Sequence, residues 1–126
     1  MQSLNKISLI GRIGQDSILR YTTDNIPVAN FSIAVDDSFK DSNGVKQESV
    51  QWFNIVAWRH LGEIAGEYLK KGQLIYVEGK LKIKSYEDKN GQPISGIDII
   101  ADNFIILSNK DKSEESNFTT TSKPLQ

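Results

Sequence analysis

The chain has 126 residues, enough for one domain with a real hydrophobic core, and its 15 Lys plus Arg against 16 Asp plus Glu leave a net charge of −1. No cysteine is present, which excludes disulfide frameworks, thiolate metal sites and thiol nucleophiles. Nothing at the start resembles a signal-peptide core and no stretch is long enough to span a membrane, so an intracellular soluble protein is expected, and any affinity for polyanions must rest on where the cations are placed.

In chain order, Lys6 to Gly14 alternates, with Ile7, Leu9 and Ile13 on one face and Gly11 in the same row. A missing side chain there predicts a bend or bulge of the kind that curls a sheet. Arg20 and Tyr21 follow, either facing a ligand or packing as an edge strand. Val28 to Asp36 is a second strand with Ala29, Phe31, Ile33 and Val35 inward. Phe39 then lies in a polar stretch leading to the Asn43-Gly44 turn signal, where its ring either packs under the loop or is presented on a hairpin arm.

Ser49 to Trp58 is a third strand with large apolar groups on both faces. Phe53, Ile55 and Ala57 share one side. Val50, Trp52, Asn54, Val56 and Trp58 share the other, and that second apolar face needs a use: another subunit, a second sheet, or a flat ligand. Nucleic-acid bases are flat rings that stack on aromatic side chains. Next, Leu61, Ile64, Ala65, Tyr68 and Leu69 keep the spacing of an amphipathic helix, with Lys70 and Lys71 complementing its C-terminus and Gly72 as C-cap.

A long fourth strand runs from Leu74 to Tyr86, with Ile75, Val77, Gly79, Leu81 and Ile83 on the core side. Opposite them Lys80, Lys82 and Lys84 form a basic stripe roughly 10–15 Å long, ending at Tyr86. By itself such a stripe is more simply a soluble, protected edge, and it is the presence of Trp52 and Trp58 in the same domain that favours a phosphate backbone beside it. Asn90-Gly91 marks a turn, and Gly96 to Leu107 is a fifth strand, bent or bulged near Asp102-Asn103. Three strands, a helix and two strands is the order of an OB-fold, an all-β five-stranded Greek-key barrel with one helix between strands three and four. From residue 110 the chain turns polar, Ser/Thr-rich and aperiodic. The expected organisation is therefore a barrel domain over 1–109 and a disordered tail over 110–126.

Enzymatic readings find no support. His60 is the only histidine, Glu63 and Glu67 lie one helical turn apart on the solvent side, and Gly11-Arg12-Ile13-Gly14 lacks the Gly-Lys-Ser/Thr ending of a phosphate-binding loop. No cluster has metal-site spacing, so no cofactor or metal is expected.

Several of these segments together are similar to the bacterial single-stranded DNA-binding protein family: Asn5-Lys6, Leu9-Ile10-Gly11-Arg12-Ile13-Gly14-Gln15-Asp16, Arg20-Tyr21, Val28 to Ala34, Trp52-Phe53, Glu67 to Gly72 and Tyr76-Val77-Glu78-Gly79. The resemblance covers the chain to Asn109. It implies an OB-fold, usually a homotetramer around which single-stranded DNA wraps, acting in replication, recombination and repair in the cytoplasm at the nucleoid. It implies base stacking on Phe39, Trp52, Trp58 and Tyr86, and phosphate contacts from Lys6, Arg12, Arg20, Lys40, Arg59, Lys71, Lys80, Lys82 and Lys84. Phe39 and Tyr86 stand where tryptophan is frequent in that family, which reduces stacking area. Ser17 stands where the family commonly has proline. The acidic tip closing in Pro-Phe, through which many members recruit enzymes, is not matched by Pro124-Leu125-Gln126, so tip-mediated recruitment is not carried over. A different class is a protein-interaction module of primosomal type, with the Trp52/Trp58 face as its interface.

Overall fold

The computed structural model describes residues 2–109, and the tail expected to be disordered lies outside them. Among the described residues the elements are β1 (Ile7–Ile13), β2 (Ile18–Tyr21), β3 (Pro27–Asp36), β4 (Phe39–Lys40), β5 (Lys46–Gln47), β6 (Val50–Trp58), α1 (Arg59–Tyr68), β7 (Leu74–Glu87) and β8 (Pro93–Ser108). Five of them, β1, β3, β6, β7 and β8, are the strands expected from alternation. The short β2 adds an edge, and β4 pairs with β5 as a separate small hairpin.

The sheet runs β1-β7-β8-β6-β3-β2 and closes because β1 also pairs with β3. Closure happens just past Gly11: β1 is laddered to β7 from Ile7 through Arg12 and to β3 at Arg12 and Ile13, so Arg12 is paired on both sides. A Cβ on Gly11 would lie 2.5 Å from the Ala34 carbonyl oxygen, so the glycine permits the close approach that lets one strand serve both edges. Three parallel rungs between β6 and β8 (Asn54–Asp98, Ile55–Ile99, Val56–Ile100) complete the barrel. This is the OB-fold. A bulge falls at Asp102, because Glu78 pairs with Asn103 while Gly79 pairs with Ala101, as expected near Asp102-Asn103.

The core is filled by the inward rows: Ile13, Phe31, Ile33, Ile55, Ile75, Val77 and Ile99 are fully buried. Phe104 meets Phe31 edge-on at 6.4 Å between ring centres. The helix covers one end through Ala65, and Leu69 just beyond it joins the same core. Gly62 packs so tightly that a Cβ there would approach the Ala57 carbonyl to 2.6 Å.

Several local expectations are corrected. The helix ends at Tyr68, and Leu69 is already extended. Gly72, with φ +93, belongs to the turn that follows. The capping work falls to buried Gln73, whose side chain donates to Tyr68 O (3.1 Å) and accepts from Lys70 N (3.0 Å). Lys70 and Lys71 therefore lie past the last helical turn, and Tyr68 points mostly into solvent. Ile83 is not a core residue: it is 70% exposed because β7 outruns the barrel, and from Ile83 onward it is one strand of a two-stranded arm. Val56, expected outward and available, is buried between its cross-strand neighbours Asn30 and Ile100.

Both arms end alike. In Asp41-Ser42-Asn43-Gly44 and Asp88-Lys89-Asn90-Gly91 the aspartate Oδ1 accepts from the backbone N–H groups two and four residues on. The glycine takes positive φ in each, +79 and +77. No helix among the described residues is long and apolar enough to cross a membrane.

Candidate nucleic-acid interface

Residues directly paired in a ladder share a face, so the register lays out the outer surface row by row. Trp52 pairs with Ala34, which pairs with Arg12. One step along β6, Asn54 lies between Ser32 and Asp98, and Asp98 faces Lys82. The next row is Ile18, Asn30, Val56, Ile100 and Lys80. The last is Arg20, Val28 and Trp58. A single surface thus carries two indoles roughly 20 Å apart along one strand, with cations on both flanks.

The indoles are held and yet open. Trp52 is 62% and Trp58 42% exposed, leaving ring faces available to a flat ligand. Trp52 lies over Gly14: a Cβ on that residue would overlap Trp52 Cζ3 and stand 2.8 Å from Cη2. Trp58 ends β6 where the chain enters the helix with no linker, and Arg59 adopts φ +60 to make the corner. A cleft of about 510 Å³ opens beside Trp58, lined by Asn5, Lys80, Leu81, Lys82 and Ile100. Asn5 builds its rim by bonding to both the N–H (3.0 Å) and the carbonyl (2.7 Å) of Leu81. Extending the β1–β7 register one step beyond Ile7–Gly79 sets Lys6 opposite Lys80.

The other two rings sit on the arms. Phe39 is 57% exposed, so of the two alternatives it is presented on its arm and does not pack under the loop. Tyr86 is 54% exposed, in the same outward row as Lys82 and Lys84. Beside Phe39, Lys40 stands directly opposite Lys46, a residue the sequence reading did not single out. Like charges in that relation repel, and a two-rung hairpin has little to offset them. The nearby acids are engaged in turns. A hydrogen bond from the Ser38 hydroxyl, then one from its backbone N–H, holds the Asp36 carboxyl below the usual range, and the Val45 N–H does so for Asp41.

Two of the expected phosphate ligands have protein partners. Arg12 Nη1 donates to Gly72 O at 3.0 Å. Lys84 Nζ lies 3.1 Å from Asp98 Oδ1. Lys71 is in the turn beside Gly72, where its backbone N–H donates to Asp16 Oδ1 at 2.8 Å. His60 meets Glu63 at 3.6 Å on the exposed helix face. No group of three or more His, Cys, Asp or Glu able to hold a metal occurs among the described residues.

Residues 4–107 match the sequence model of the single-strand binding protein family. A single-stranded DNA-binding protein of Neisseria meningitidis serogroup A is 41% identical over 111 residues, spanning 88% of this chain and 64% of the relative. Single-stranded DNA-binding protein 1 of Chlorobaculum tepidum is 40% identical over 111 residues, spanning 87% of this chain and 68% of its own. The chain thus matches slightly less than two thirds of the neisserial relative. Among solved structures, the Plasmodium falciparum SSB in complex with ssDNA superposes with a TM-score of 0.80 at 29% identity, over 86% of this chain and 98% of that one. The protein from Thermus aquaticus superposes with a TM-score of 0.74 at 28% identity.

Proposed function

The chain belongs to the single-strand binding protein family, and from that membership together with the outer face of the barrel we propose that it binds single-stranded DNA with little regard to sequence. The observation that carries this is the pairing of two half-open indoles, Trp52 and Trp58, on one surface flanked by Arg12, Arg20, Lys80 and Lys82. Every base has a π-face, so stacking tolerates sequence, and each stacked base contributes on the order of 1–3 kcal/mol by alanine substitution. Phosphates between the stacked bases run beside the lysine row, and each one neutralised releases counterions, so affinity falls with salt.

In this reading Phe39 and Tyr86 extend the path as rings on the two arms. Lys6, Arg20, Lys40, Arg59, Lys71, Lys80 and Lys82 bear on phosphates, with Lys46 added to them. Arg12 contributes through whatever donors its bond to Gly72 leaves over. The protein coats and protects exposed strands in replication, recombination and repair, at the nucleoid, and performs no chemistry on them. Several subunits, most simply four, supply one continuous path. The exposed Ile10, Ile105 and Leu107 are the apolar surface through which copies pack.

The test is intrinsic tryptophan fluorescence during titration with oligo(dT), repeated at high salt and against duplex competitor. Quenching by the single strand that weakens with salt, and that drops about 5- to 150-fold in affinity in Trp52→Ala or Trp58→Ala, is the expected result. Equal competition by duplex would refute the reading. Rings that ignore both forms of DNA would make this face a protein-docking surface instead.

A further inference from the structure

Asp98 stands in the middle of the proposed DNA path with the wrong charge for it. The ladders set it between Asn54 on β6 and Lys82 on β7. Its carboxylate is no loose surface group: the side chain is only 16% exposed, and Oδ1 accepts from Asn54 Nδ2 at 2.6 Å. Lys84 comes to the same oxygen at 3.1 Å from the neighbouring row. Its way there is cleared by its own ladder partner, Gly96, where a Cβ would lie 3.2 Å from Lys84 Cε and 3.8 Å from Cγ. Three residues on two strands are thus shaped around one lysine: a carboxylate to hold its head, an amide to fix the carboxylate, and a glycine to seat its stem.

We propose that Asp98, oriented by Asn54, holds Lys84 as an internal counter-ion, making the pair a neutral unit that keeps DNA affinity and its salt dependence below what the lysine stripe would otherwise reach. This rests on the DNA-binding reading above. A lysine that neutralises a phosphate contributes about 0.7 to the slope of log affinity against log salt on a single strand. Lys84 contributes none while its charge is matched within the protein. A strand lying between Trp52 and Trp58 thus passes a neutralised lysine rather than a free cation, which keeps the bound strand exchangeable.

The experiment is a salt series, 0.1–1 M NaCl, of oligo(dT) titrations followed by tryptophan fluorescence. Wild type is compared with the isosteric Asp98→Asn and with the double variant Asp98→Asn/Lys84→Gln. Releasing Lys84 in Asp98→Asn should steepen the slope by about 0.7 and tighten binding about fivefold at 0.1 M relative to 1 M. The double variant, which removes both charges and strands neither, should return to the wild-type slope and affinity. An Asp98→Asn slope equal to wild type overturns the inference. So does a double variant whose slope is shallower than wild type by about 0.7, since Lys84 would then already be on a phosphate. The double variant decides the matter even where the single one folds poorly. Failure of the wild type to bind oligo(dT) would overturn the functional reading itself, a result distinct from either of these.

Discussion

Gly14→Ala should damage DNA binding while leaving the fold intact, although the residue touches no DNA in the proposed complex. The added Cβ would stand 2.8 Å from Trp52 Cη2 and closer still to Cζ3, where an ordinary contact is at least 3.4 Å. The ring must therefore withdraw by more than half an ångström at one edge. It can do so, because it is 62% exposed and the backbone beneath it is anchored by Gly14 N to Ser32 O at 2.9 Å. Gly14 has no positive φ, so alanine strains no backbone torsion there and reduces the entropy of the unfolded chain, worth about 0.4–1 kcal/mol in favour of folding once the ring has moved aside. The melting temperature should hold or rise slightly. A tilted indole keeps only part of a stacking contact worth about 1–3 kcal/mol, so a loss of about 0.5–1.5 kcal/mol is expected, roughly 2- to 12-fold in Kd. The assay is a double-mutant cycle with Trp52→Ala, read by oligo(dT) affinity and thermal melting. In the Trp52→Ala background, Gly14→Ala should do nothing to binding. An equal loss with and without the indole would show that Gly14 acts by some route other than the ring, and the reasoning would fail.

Other expectations follow from the same geometry. Lys46→Gln should lower the salt slope for oligo(dT) by about 0.7 and at the same time slow amide exchange in the β4–β5 hairpin, because it ends the repulsion with Lys40. Gly11→Ala should cost about 1–3 kcal/mol in urea denaturation, since its Cβ meets the Ala34 carbonyl at 2.5 Å and that oxygen belongs to backbone that cannot retreat without opening the barrel; the folded fraction should still bind. Acid should loosen the Phe39 arm before the barrel. Asp36 and Asp41 have lowered carboxyl pKa values, so their contribution is complete above the unfolded-state pKa and is lost as pH falls through the lowered folded value. Hydrogen exchange at Asn43 and Val45 during an acid titration checks this, and unchanged protection there down to global unfolding would contradict it.

Much of the architecture was legible because alternation is a local property. Apolar residues at period two placed Phe31, Ile33, Ile55 and Val77 inward, and the same parity sent Trp52, Trp58, Lys80 and Lys82 to one outer surface. The two Asn-Gly turns were legible for the same reason, since a preceding aspartate and a following glycine determine them within four residues. Phe39 was ambiguous because a ring in a polar loop has no period to declare its side.

What the tertiary structure alone decided is which strand lies beside which, and where the barrel stops. Parity put Ile83 with Leu81, but only the reach of β7 past the closed sheet leaves Ile83 in solvent. Parity put Val56 outward, but its neighbours in the sheet bury it. Lys46 opposite Lys40, Arg12 in the row of Trp52, and Gln73 closing a helix end are likewise products of folding. So is Asp98 against Lys84: fourteen positions separate them in sequence, and nothing local links them until β7 and β8 pair. A sequence specifies the side to which each residue of a strand points through its immediate neighbours, whereas register and closure are set by contacts between distant segments, and those exist only once the chain has folded.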